Sequence, residues 1–260
     1  MFGDGLNNMH YLSIATIAQN EGKYLREFIT YHLGVGVEHF YIYDNNNTPD
    51  TTREVCAEFG NKVDLFFWPG FKQQFPAMGH CLNTFRNQSR WISFQDVDEF
   101  LVPLNDQKLT EFLVPYEPHP ALCVHWRFFG TSGNLKYSPE PVVERFTKCA
   151  KEIDRHIKAI VNPLRTTSLV TVHKWRHLGG EAVDEHFNIV PELESRPEPA
   201  TADLIQMNHY VCKSIEECME RRSRPRADTG EMREFGSFIE AHDRNDAEDL
   251  RALELWKAMK

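Results

Sequence analysis

No stretch of this sequence is apolar for long enough to cross a bilayer, which takes about 20 residues, and no basic segment followed by an apolar one opens it. Both absences predict a cytoplasmic protein with no integral membrane segment, although a piece of a longer, anchored protein would read the same way. An excess of cations is also missing, since the formal net charge is −9. Nucleic-acid binding needs a basic footprint, so no nucleic-acid partner is expected. A nucleotide is not excluded, because one metal ion and a few local cations neutralise a diphosphate. The six cysteines, Cys56, Cys81, Cys123, Cys149, Cys212 and Cys218, contain no Cys-x-x-Cys pair, which argues against a zinc ribbon or redox motif. Several sit in apolar stretches and read as buried free thiols, as suits a reducing compartment. Internal repeats and low-complexity tracts are absent. What is present, 41% hydrophobic and 26% charged residues over 260 positions, can bury a sizeable core as one domain or as one domain with an appended lobe.

The first hundred residues alternate between two periodicities. Tyr11–Ala18, Val37–Tyr43, Val63–Trp68 and Trp91–Phe94 are short runs rich in strand formers. Between them, Glu21–Gly34 carries Leu25, Phe28, Ile29 and Leu33 at helical spacing, with Gly34 as its stop. Asp50 offers an N-cap to a helix Thr51–Phe59 that Gly60 closes, and Pro76–Gln88 is a further helix. This order predicts right-handed βαβ units and an α/β fold with a mostly parallel sheet. Ligands then gather at the carboxyl ends of the strands. Three polar clusters fall there: Asn20-Glu21, Asp44 to Asn47, and Asp96-Val97-Asp98.

The second half is less regular. Strands are expected at Leu122–Phe129, Ile157–Val161, Leu169–Val172 and Leu204–Val211, with an exposed acidic loop at Pro191–Asp203. Ser214–Arg222 reads as a helix, and Ser237–Lys260 as a charged, peripheral one. The expected division is one domain over 1–235, with a nucleotide-binding half (10–104) and a half that completes the acceptor and metal sites (105–235), followed by a C-terminal helix over 236–260.

Asp96 and Asp98 flank Val97 after an apolar strand, so alternation turns both carboxylates to one face. Paired carboxylates repel unless a cation lies between them. Hard divalent ions such as Mn²⁺ or Mg²⁺ prefer such oxygens, leave positions open for phosphate, and stabilise a departing diphosphate. A solvated acidic turn is the plainer alternative. His209 and Lys213 lie after a strand and before a helix, where a neutral histidine can complete a metal site and a lysine can reach a diphosphate. Ser214 and Glu217 have capping-box spacing. Lys158 is a further phosphate candidate, or a surface lysine beside a strand.

A resemblance becomes specific at this point. Ile17 to Glu21, then Tyr24-Leu25, Glu27, Tyr31-His32, Gly36-Val37 and Tyr41 to Asn45, resemble the opening of glycosyltransferase family 92 and its bacterial family-2-like relatives. Asp96 to Phe100 is similar to the metal-binding D-x-D segment of those families. Phe129 to Gly133, Glu144 to Phe146, Lys158 to Pro163, and His209-Tyr210 with Lys213-Ser214 follow the same order of blocks, over roughly 11–224. The helix around Gln73 to Cys81 departs from the family's usual segment, and His80 receives no role. The resemblance implies a GT-A fold and transfer of a hexose from a nucleotide-sugar, by analogy a UDP-sugar, to a glycan or other hydroxyl acceptor with inversion. It implies that Asn20, Glu21 and Asp44 hold the nucleotide, with Asp44 on the base or ribose. Asp96 is then near ribose and metal, Asp98 is the main metal ligand, His209 completes the site, and Lys213 holds the diphosphate.

Inversion needs a carboxylate near the acceptor hydroxyl. Glu144, after the loop Gly130 to Gly133, is the first candidate, with Asp184 and Glu185 as others. Glu144 has the alternative of a plain salt bridge. Trp126 and Trp175 can stack on a sugar or simply fill the core. His173 and His177 are four apart, but on a strand that spacing does not make a helical zinc pair. Two rival functions stand beside the transferase: a non-catalytic module that binds a nucleotide-sugar or glycan, and a metal-dependent phosphohydrolase, which lacks a dense histidine–aspartate cluster here.

Overall fold

The computed structural model describes residues 9–48, 51–192, 194–226, 228–232 and 234–260. Its first half is the expected alternation: β1 (His10–Ala18), α1 (Gly22–Val35), β2 (His39–Asp44), α2 (Thr52–Glu58), β3 (Val63–Phe67), α3 (Gln74–Phe85) and β4 (Ser89–Phe94). β1 lies between β2 and β4 and runs parallel to both, and β3 extends the parallel set beyond β2. Asp50, expected as an N-cap, lies outside the described residues.

α1 runs past the expected stop at Gly34. It ends where Gly36 adopts a left-handed conformation at φ 110°. Gly34 stays inside the helix and is small for another reason: Met259, near the C-terminus, packs against it where a Cβ would stand.

The second half adds β5 (Glu99–Pro103), α4 (Leu109–Phe112), β6 (Ala121–Phe128), α5 (Val142–Arg145), β7 (Lys148–Cys149), β8 (Asp154–Val161), β9 (Thr166–Thr171), β10 (Lys174–His177), β11 (Ala182–Val183), β12 (Ile189–Val190) and β13 (Ile205–His209). It closes with α6 (Ile215–Arg222), α7 (Phe235–His242), β14 (Ala247–Glu248) and α8 (Arg251–Ala258). β8 enters antiparallel between β4 and β6, while β6 itself runs with β13 and β11. The order β12-β11-β6-β8-β4-β1-β2-β3, with β13 and β5 branching from β6, gives an α/β fold whose central sheet is mostly parallel.

Apolar layers cover both faces. One holds Leu25, Phe28, Phe100, Trp91 and Trp256, and the other Tyr41, Met78, Leu82, Phe94 and Trp175. All six cysteines are buried thiols outside any disulfide. Among the described residues, no helix is long and apolar enough to cross a membrane.

The C-terminal segment 236–260 corrects the expectation of one peripheral helix. It is two helices separated by a turn and β14, which pairs with β7. The break has a physical cause. Asp243 Oδ1 accepts from Thr131 N at 2.6 Å and Asn245 Oδ1 from Ser132 N at 2.9 Å, so the turn satisfies donors of the glycine loop. α8 is not peripheral either, because Ala252 and Trp256 belong to the main core.

Candidate functional site

A cleft of about 170 Å³ opens at the carboxyl ends of β1, β4 and β13. Its acidic corner is built by the turn between β4 and β5. Asp96 N donates to Glu99 Oε2 at 2.8 Å, Gln95 Nε2 donates to Glu99 O at 2.8 Å, and Tyr210 N donates to Asp98 O at 2.9 Å. Asp96 and Asp98 both reach the cleft, but from this turn and not by the pleat of a continuing strand. Val97 packs into the core beneath them.

Asp98 is buried. His209 Nε2 stands 3.7 Å from its Oδ2, and Arg221 Nη1 donates to the same oxygen. Burial alone would raise the Asp98 acid, but Arg221, Lys213 and His209 overcome it and hold the group well below the usual carboxylate range. The His209 ring lies against Trp126, at 4.3 Å between centroids, and Phe128. Burial there lowers its pKa to about 3, so the imidazole is neutral near pH 7. Two buried ligand atoms in this corner have no partner among the described residues, Asp98 Oδ1 and His209 Nδ1. Asp96 is less enclosed, taking Gln74 Nε2 at 2.9 Å and Lys158 Nζ at 3.4 Å.

The three expected metal ligands therefore share a cleft without forming a closed cage. Among the described residues, the group whose possible ligand atoms all lie within 4.8 Å of one another is Glu185, His186 and Asp203, on another part of the surface. In the cleft, Arg221 takes the place beside Asp98. The orphaned oxygen and nitrogen on Asp98 and His209 nevertheless suit a divalent cation, which accepts both carboxylate and imidazole.

The other expected residues divide into those at the cleft and those away from it. Glu21 lines it, with Oε2 buried and unpartnered; burial raises its pKa, against the pull of Lys213 and Arg221. Asn20 and Asp44 build the neighbouring corner. Asn46 Oδ1 accepts from Asn20 N at 2.7 Å, and Asp44 Oδ1 accepts from Asn46 Nδ2 at 2.6 Å. This leaves Gln19 and Asn45, not Asp44, on the cleft wall. Lys213, at φ 52°, borders an adjoining hollow shared with Glu21, its ammonium 4.4 Å from the centre of the Tyr24 ring. Lys158 is neither a surface lysine nor open to the cleft: it is buried under Asp96.

Glu144 and Asp184 are not brought to the cleft. Glu144 Oε1 accepts from Trp256 Nε1 at 2.8 Å and Lys260 Nζ at 2.6 Å, which anchors α8. Asp184 caps its own turn, accepting from His186 N and Asn188 N, both at 2.9 Å. Glu185 binds the backbone N–H groups of Asp203, Leu204 and Ile205 at the entry to β13. Trp126 does line the cleft, whereas Trp175 is buried against Phe94.

The sequence model of glycosyltransferase family 92 matches residues 9–232. The chain belongs to glycosyltransferase family 92. A family 92 protein of Oryza sativa subsp. japonica is 33% identical over 176 residues, covering 65% of this chain and 30% of that protein. One of Arabidopsis thaliana is 36% identical over 182 residues, covering 64% and 32%. The chain thus spans under a third of the length of the curated relatives it matches. Among solved structures, S. aureus TarS 1-349 in complex with UDP overlaps 59% of this chain and 47% of its own, at TM-score 0.39 and 14% identity. HddC from Yersinia pseudotuberculosis overlaps 60% and 74%, at TM-score 0.35 and 11% identity.

Sequence reasoning missed the cationic wall of this family 92 cleft. Arg221, Arg224 and Arg226 line it from the end of α6 and the following loop. The run Glu220 to Arg226, with four arginines just past the His209–Ser214 block, was the available signal. His173 was also missed as a wall residue: its Nδ1 bonds Ile157 O at 3.0 Å, while the ring faces Trp126. Asp228 completes the rim, held by Arg226 Nε at 2.8 Å and Nη2 at 2.7 Å.

Proposed function

We propose that this chain is the core of a glycosyltransferase that moves a hexose from a nucleotide-sugar, a UDP-sugar, to a hydroxyl of a glycan or other acceptor, with inversion and with Mn²⁺ or Mg²⁺. One observation carries the reading. Asp96, Asp98 and His209 line the same cleft as Arg221, Arg224 and Arg226, so an ion-binding corner faces an anion-binding wall.

Asp98 and His209 would hold the ion, with Asp96 beside them. When bound, the ion stabilises negative charge on the departing diphosphate. The guanidinium groups offer forked N–H donors to phosphate oxygens. Gln19 and Asn45 offer polar contacts to the nucleoside, and Trp126 offers an aromatic face to a sugar ring. Outside the ion corner the cleft carries two carboxylates, Glu21 and Asp228; Asp228 is assigned the proton of the acceptor hydroxyl, once Arg226 turns from it to phosphate.

The test is UDP release from a panel of UDP-hexoses with and without Mn²⁺. Release should require the ion and vanish in Asp98→Ala while that variant still melts cooperatively. Undiminished release by Asp98→Ala would remove the ion corner from the mechanism. A second reading, a non-catalytic module, is favoured by the placement of Glu144 and Asp184 outside the cleft. Calorimetric UDP binding without turnover of any donor would support it.

A further inference from the structure

Asp98 already has a cation. Arg221 reaches it from the last turn of α6, across the cleft, and binds Oδ2 while Oδ1 remains unpartnered. The other two wall arginines are engaged elsewhere: Arg224 Nη1 donates to Gln19 O at 2.8 Å, and Arg226 pairs with Asp228. Arg221 also lines the same cleft as Glu21, whose buried Oε2 has no hydrogen-bond partner among the described residues. The guanidinium therefore shares its cleft with a second carboxylate. It is tethered by a long side chain that keeps 27% of its exposure.

On the reading of the cleft as an ion-dependent donor site, we propose that Arg221 and the divalent cation are alternative occupants of Asp98. The arginine holds the carboxylate before ligands arrive. The ion would displace it, and the freed guanidinium would pass to the donor diphosphate, with Glu21 on the wall of the same cleft. A guanidinium and a dication on one buried carboxylate repel strongly, because little solvent screens them. A guanidinium also matches phosphate oxygens as a fork, so the displaced group has a better destination than solvent. One side chain thereby couples the two ligands, and such coupling is reciprocal. An ion pair that only fastened α6 to the β4–β5 turn would couple nothing.

The experiment is Mn²⁺ binding followed by electron paramagnetic resonance, with and without UDP, on the whole chain and on Arg221→Gln and Arg221→Lys. Without UDP, Arg221→Gln should bind Mn²⁺ about 10-fold more tightly than wild type, with Arg221→Lys between. The strengthening of Mn²⁺ binding by UDP should be at least about 5-fold smaller in Arg221→Gln. Equal or weaker Mn²⁺ binding by Arg221→Gln overturns the exclusion and leaves the ion reading intact. Absence of Mn²⁺ binding in wild type and variants, even with UDP, overturns both. Should Arg221→Gln fold poorly, Arg221→Lys must still show the same sign, and wild-type affinity in that variant counts against the proposal.

Discussion

Lys158 Nζ lies 3.2 Å from Glu99 Oε2, with both side chains buried beneath the cleft floor, and 3.4 Å from Asp96 Oδ2. Burial raises the Glu99 pKa to about 8, against the pull of Lys158, so one lysine supports two acids. Lys158→Met would leave them without their cation. With Glu99 largely protonated at pH 7, the loss there should be smaller than the cost of stranding a buried charge, about 3–5 kcal/mol, and it should approach that value above pH 8. Urea unfolding measures it, and Lys158→Met/Glu99→Gln should recover part. A midpoint equal to wild type in the single variant would show that the pair contributes little.

Glu144 and Asp228 should separate stability from turnover. Glu144→Gln keeps the shape of an anchor for Trp256 and Lys260 and should cost no more than about 1 kcal/mol, with UDP release near wild type. Asp228→Asn should lower release about 10²–10⁴-fold with little change in melting. Steady-state rates on both variants settle the assignment, and the reverse pattern would return the base to Glu144.

His32 predicts an acid limb in stability. Its Nδ1 donates to Phe28 O at 2.8 Å, its Nε2 accepts from Leu101 N at 3.2 Å, and the rings of Phe28, Tyr31 and Phe100 enclose it. Burial lowers its pKa from 6.5 to about 3. The folded state therefore takes up the proton later than the unfolded state. The stability contributed by the neutral ring is full above pH 6.5 and is lost as pH falls towards 3, by up to about 1.4 kcal/mol per pH unit. Urea titrations at stepped pH should show a shallower limb for His32→Gln than for wild type. Parallel limbs would exclude His32 as a source.

Ser214 and Glu217 form the expected capping box, with Glu217 N donating to Ser214 Oγ at 3.2 Å and Ser214 N to Glu217 Oε2 at 3.1 Å. Glu217 also takes Arg145 Nη1 at 2.8 Å and Tyr24 OH at 2.6 Å. Ser214→Ala should cost about 1 kcal/mol. Because α6 carries Arg221, Mn²⁺-dependent UDP affinity should fall as well. A change in neither quantity would mean that the surrounding contacts hold the helix start alone.

Much of the nucleotide-binding half was legible because its signals are local. The β1 to β4 alternation follows from side-chain periods of two and 3.6, and the capping box from a spacing of three. Those local rules set the elements, and with them the arrival of Asp96, Asp98 and Glu21 at one edge of a sheet. The long-range partnerships were decided by tertiary structure. Glu144 reads as a base or as a plain salt-bridge partner, yet Trp256 and Lys260 claim it once α8 docks. Lys158 reads as a phosphate ligand or a surface lysine until Asp96 and Glu99 close over it. The arginines at and beyond the end of α6 have no role in the sequence reading until α6 brings Arg221 to Asp98. A periodic pattern records only which face of an element is apolar. Which charge meets which across the chain depends on packing, where burial magnifies each pairing and no local spacing encodes it.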